Sequence, residues 1–148
     1  MQTWTSDPLE LPIDFKGASR IDLEFENVRR DAGSFTAFVF VNPDGRVPPG
    51  AGRDHESFAG SFSVFAPEQC WGGEGHCDWE RGPVSAFDHR PPHHLTPINV
   101  TVGIAERVAE LDNPSELVIV IHAARVPDTR AQPAPLRFER VTALAYQR

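Results

Sequence analysis

The residues best equipped for chemistry stand close together: Cys70-Trp71-Gly72-Gly73-Glu74-Gly75-His76-Cys77, then His89-Arg90-Pro91-Pro92-His93-His94. Two thiols and an imidazole on Gly-rich backbone have the types and spacing to hold Cu(I) or Zn(II), since soft thiolates select those ions. The competing reading, which we favour, is a Cys70–Cys77 disulfide closing a small loop, or thiols that merely pack. Adjacent side chains in extended backbone point to opposite sides, so His93 and His94 do not share one ion. His89 with one of that pair, joined by His76 or Cys77, would complete a mononuclear copper or zinc site. The favoured alternative has these rings donating to backbone carbonyls and holding an ordered loop. The candidate metal ligands are therefore Cys70, His76, Cys77, His89, His93 and His94, with no other cofactor implied.

The remaining chemistry is weaker. Asp54, Glu56 and Asp88 lie near histidines and near Ser57, Ser61 and Ser85, but no G-x-S-x-G elbow or other diagnostic spacing supports a triad. Such juxtapositions arise by chance in a chain with 21 acidic residues. His122 ends an apolar run and reads as a core histidine with its hydrogen bonds satisfied, whereas His55 reads as solvated.

The elements that must position these groups are mostly strands. From residue 20 to 28, Ile21, Leu23 and Phe25 alternate with Asp22, Glu24 and Glu26, the period of a half-exposed strand. Residues 35–41 are apolar on both parities, as in a strand covered on both faces or inside a sandwich, and Asn42-Pro43-Asp44-Gly45 ends it with turn chemistry. Pro48, Pro49, Gly50 and Gly52 mark residues 46–56 as a surface loop. Residues 58–65 return to strand, with Gly60 signalling a bulge or a close backbone approach. The segment 67–97 holds both cysteines and four of the six histidines, and a loop of that length is functional or disordered. Its aromatic residues favour order.

A strand follows at 98–102, then Ile104, Val108 and Leu111 at i, i+4 and i+7 predict a two-turn helix, closed by Asn113-Pro114. Residues 117–122 form a buried strand. Over 136–146 the apolar parity switches, predicting a bulge near Glu139 or Arg140. The expected architecture is all-β: an antiparallel β-sandwich or flattened barrel of about six to eight strands, with one short helix and a long irregular loop. Residues 1–19, carrying Pro8 and Pro12, read as an N-terminal arm or linker, and 20–148 as the domain.

With 148 residues, one core is expected. A net charge of −7 disfavours nucleic acid and anionic membrane surfaces, which demand clustered cations. No apolar run reaches membrane-spanning length, and Met1-Gln2-Thr3-Trp4-Thr5-Ser6-Asp7 lacks signal-peptide character. The expectation is a cytoplasmic protein, or a mature or excised domain of undetermined compartment.

The ordered set Ile21-Asp22-Leu23-Glu24-Phe25, Phe38-Val39-Phe40-Val41-Asn42, Phe58-Ala59-Gly60-Ser61-Phe62 and Leu117-Val118-Ile119-Val120-Ile121 resembles the C-terminal β-sandwich domain of type 3 copper proteins: polyphenol oxidases, haemocyanins and bacterial tyrosinase-like proteins. The plant strand signature has Lys-Phe-Asp where Phe35-Thr36-Ala37 stands, and the stretch from Cys70 to His94 is longer than the corresponding loop. The resemblance implies a non-catalytic accessory domain or subunit that covers or stabilises a type 3 copper oxidase domain, in the same chain or a separate one. It also implies an apolar plug entering the partner's active site, for which Trp71, Trp79, Phe65 and Phe87 are candidates. Ordinary core packing competes with that role, more strongly for Phe65 and Phe87. A dicopper centre needs six imidazoles on a helical bundle. This chain has six histidines, but Pro91-Pro92 keeps His89 and His93 off one helix, so oxidase activity of its own is not expected.

Overall fold

The computed structural model describes residues 1–11, 18–30, 33–65, 87, 96–111, 114–126 and 136–147. Among the described residues the strands are β1 (Gln2–Thr5), β2 (Leu9–Glu10), β3 (Arg20–Val28), β4 (Phe35–Asn42), β5 (Phe58–Val64), β6 (Ile98–Gly103), β7 (Glu116–Arg125) and β8 (Arg140–Tyr146), with one helix, α1 (Ala105–Glu110). They form two antiparallel sheets: a five-stranded one in the order β1-β7-β4-β5, with β2 also on β7, and a three-stranded one in the order β6-β3-β8. This is the expected sandwich, open at its edges rather than closed into a barrel.

The core fills the space between the sheets. Leu117, Ile119, Ile121 and Ala123 of β7 share a face with Phe35, Ala37, Val39 and Val41 of β4, and meet Ile21, Leu23, Phe25 and Val28 of β3. Each such Ile, Leu or Phe contributes about 1.5–3 kcal/mol when fully withdrawn from water. Rings lock the layer: Phe25 lies 5.3 Å from Phe62 and 5.4 Å from Phe138, and Phe138 meets the edge of Trp4 at 4.8 Å. Val108 docks α1 onto the same core.

Three departures from the sequence reading have physical causes. The bulge lies not near Glu139 or Arg140 but on β3, where Asn27 takes a left-handed φ of 54° and the β3–β6 register slips between Phe25 and Val28. Asn tolerates that conformation better than most residues, and the slip returns Val28 to the core. Along β8 the register with β3 runs unbroken from Arg140 to Tyr146, so the parity switch there marks the strand's start. Second, β1 and β2 sew residues from the first ten positions onto β7; their polar and proline content concealed short edge strands. Third, β3 is drier than alternation predicts, since Asp22 is buried with Oδ2 paired to Arg20 Nε at 2.7 Å.

Gly60 meets its expectation in both senses. The β4–β5 register slips beside it, between Val39 and Phe40. A Cβ at Gly60 would lie 2.6 Å from Val102 Cγ1 on the opposite sheet. Glycine is thus required where β5 and β6 approach.

Candidate functional site

Cys70, Trp71, His76, Cys77, Trp79, His89, His93 and His94 lie outside the described residues. The described chain fixes both ends of the segment that carries them. β5 delivers it from Val64, paired with Phe35 in the larger sheet, and β6 receives it at Ile98 in the smaller. At the receiving end Arg30 Nε donates to the Thr96 carbonyl at 2.8 Å. Two plug candidates are described, Phe65 at 76% and Phe87 at 89% exposed, so neither packs into the described core, which is the alternative to the plug role.

The two described histidines sit on the outer face of the larger sheet. On β7 the outward parity is Val118, Val120 and His122, and on β4 it is Phe38, Phe40 and Asn42; residues 43–57 fold back across them. Asn42 organises the entry to that segment: its Oδ1 accepts from Gly45 N, and its Nδ2 donates to the Arg46 carbonyl and to Ser57 Oγ, each at 3.2 Å. Gly45, at φ +68°, lies so close to Val118 that a Cβ would come within 2.8 Å of its Cγ1. Val47 and Ala51 then pack over Phe40, Val118 and Val120.

Beneath this cover His122 is fully buried, 5.0 Å from the Phe40 ring, and neither ring nitrogen completes a hydrogen bond. It is a core histidine, as expected, but an unsatisfied one. Loss of water around the ring pushes its pKa below the ordinary imidazole value; a weak backbone contact from Ala51 offsets part of this, and His55 adds to the depression. His55 is not the solvated side chain expected: its ring meets the edge of Phe40 at 5.8 Å and its Nδ1 accepts from Ser57 N at 3.1 Å. Sequence reasoning passed over this pair because a Pro- and Gly-rich loop gave no sign of folding onto a strand face.

The described residues do not assemble reactive chemistry. Among them no group of three or more His, Cys, Asp or Glu is placed to hold a metal ion. Ser57 Oγ is engaged by Asn42 rather than by an imidazole, so no triad forms around it. A type 3 copper group finds no fit among these residues: the described helix is six residues long and carries no histidine, and His55 and His122 sit on a loop and a strand. An open groove of about 620 Å³ runs past Arg20, Asp22, Phe58, Thr101, Glu106 and Arg107. Its two guanidiniums are committed, Arg20 to Asp22 and Arg107 to Glu110 at 3.0 Å. No described helix is long and apolar enough to cross a membrane.

Geometry thus defines an antiparallel β-sandwich whose described part is built for packing. No protein-family model matches the sequence, and no curated protein matches it. Among solved structures the fold is similar to recombinant latent aurone synthase, a polyphenol oxidase, at a TM-score of 0.56 and 10% identity. It is similar to the latent enzyme from its natural source at 0.54 and 12%. A form of the recombinant enzyme co-crystallised with hexatungstotellurate(VI) gives 0.55 and 10%. Each likeness covers 98% of this chain and 24% of the other, so the chain spans about a quarter of the oxidases it resembles. The shared property is the fold of a polyphenol-oxidase domain.

Proposed function

We propose that this chain is a non-catalytic accessory domain or subunit of a tyrosinase-like protein, covering or stabilising a type 3 copper oxidase domain. The observation that supports it most is the coverage: nearly the whole chain matches one quarter of a polyphenol oxidase. The similar enzymes are described as latent, and latency is what a domain lying over an active-site entrance produces.

The covering surface in this proposal is the end of the sandwich where β5 gives way to the loop. Phe65 is exposed there directly after β5, Phe87 is a second exposed large apolar side chain, and Trp71 and Trp79 lie in the same segment of sequence. An aromatic side chain of this kind is the usual anchor of a protein interface. The test is a mixing experiment with an uncovered oxidase domain of the tyrosinase type from the same source. Phenol oxidation should slow in proportion to added chain, and Phe65→Asp or Trp71→Ala should weaken the effect. The rival use of the same segment, as a mononuclear copper or zinc site, predicts stoichiometric metal in protein purified without chelator.

A further inference from the structure

We propose that residues 43–57 form an acid-released flap, with His122 as the group whose protonation undocks it from the outer face of the larger sheet. The inference is independent of the accessory role, because it concerns the face of the sheet turned away from the sandwich core. Three observations carry it. His122 is completely buried, neither ring nitrogen completes a hydrogen bond, and the only partial relief for its charged form is a weak backbone contact from Ala51, which belongs to the flap itself, so burial disfavours the imidazolium. Its cover is a single segment, held by the Asn42 side chain and by Val47, Ala51 and the His55 ring rather than by a strand ladder. Finally, the surface beneath is apolar: Phe38, Phe40, Phe58, Val118 and Val120.

Apart from the Ala51 backbone and Thr3, the described groups around His122 are basic or apolar. The flap brings His55 next to Phe40 and places the Arg53 guanidinium 5.9 Å over the Phe38 ring. β4 contributes Phe38, the residue paired with His122, and β1 contributes Thr3 opposite it on the other side. Among the described residues no carboxylate acts on His122, so an imidazolium there is left without a counter-charge from them. Opening the flap lets water solvate the ring, and protonation then holds it open.

The sign follows from burial. The docked form binds the proton more weakly than the open form, whose imidazole has an ordinary pKa near 6.5. The open population therefore rises as pH falls below that value. Between pH 7.5 and pH 5 the ceiling is about a thirtyfold rise, set by titration of the open state alone.

Hydrogen exchange at the amides of Ala51, His55 and Phe58, which donate to Pro48, Gly52 and His55 carbonyls, reads the flap directly. After correction for the intrinsic rate, exchange at these three should accelerate about ten- to thirtyfold at pH 5 while β3 and β7 core amides stay protected. Dye binding to exposed apolar surface should rise in parallel. His122→Phe should abolish both changes, and His55→Ala should retain them. Flap protection equal at pH 7.5 and pH 5, or acceleration that survives His122→Phe, overturns the proposal. Should His122→Phe not fold, imidazole NMR of the unaltered protein decides. Protonation coupled to flap exchange supports the proposal, and protonation with the flap still protected refutes it.

Discussion

The inner face of the five-stranded sheet and the β4–β7 centre of its outer face are both covered, yet for different reasons. The inner face is covered by a second sheet whose residues alternate in step with its own, so Ile119 and Ile121 meet Leu23 and Phe25 through a layer that also includes Phe62 and Phe138. The outer face is covered by fifteen residues of turn and loop, 43–57, in which only Val47, Ala51 and the His55 ring supply apolar contact. One cover is part of the fold's cooperative unit. The other is a local structure with a buried imidazole under it, and local structures of this kind open at lower free energy than the core.

The comparison breaks most visibly on the inner side. Phe25→Ala removes a fully buried ring that bridges Phe62 and Phe138, and should cost about 3–5 kcal/mol. In urea, every probe of both faces should then unfold together at a lower midpoint. Gly60→Val tests the contact between sheets, since its Cβ would meet Val102 at 2.6 Å. Overpacking there should cost about 1–3 kcal/mol, and Val102→Ala in the same chain should recover part of it.

The outer face should respond more mildly and more locally. Asn42→Ala deletes the bonds to the Arg46 carbonyl, Ser57 Oγ and Gly45 N, for a loss of about 1–2 kcal/mol. Its signature is limited proteolysis within residues 43–57 well before global unfolding. Smallest of all is Glu26→Gln. The Arg140–Glu26 pair is close, at 2.7 Å, and raises the arginine's pKa chiefly by the side-chain hydrogen bond, but the guanidinium is in water. Thermal denaturation should not separate this variant from the parent.

The inner face was legible in the sequence and the outer face only half so. Strict alternation in Ile21, Leu23 and Phe25, and the unbroken Val/Ile run of β7, announce strands because side chains alternate sides every residue. Residues 35–41 read as a strand covered on both faces or inside a sandwich, and from Val39 to Val41 both faces are indeed buried, since Phe40 cannot be inward with Val39 and Val41. What covered them was not legible, because a loop's docking depends on a few turn residues such as Asn42 and Gly45 and carries no period. The short strands β1 and β2 escaped for a similar reason: four residues, then two, are too few for a pattern. The order of elements identified the architecture. The candidate metal ligands Cys70, His76, Cys77, His89, His93 and His94 remain a reading of sequence, since they fall outside the described residues.

The central claim, that this sandwich acts by covering a copper oxidase rather than by chemistry of its own, is tested most directly by titrating the purified chain into an uncovered tyrosinase-type oxidase domain from the same source while following catechol oxidation. The account predicts a stoichiometric fall in rate, relieved when the chain is removed by proteolysis. An unchanged rate with no complex at micromolar concentrations, beside catechol turnover by the chain alone, would contradict it.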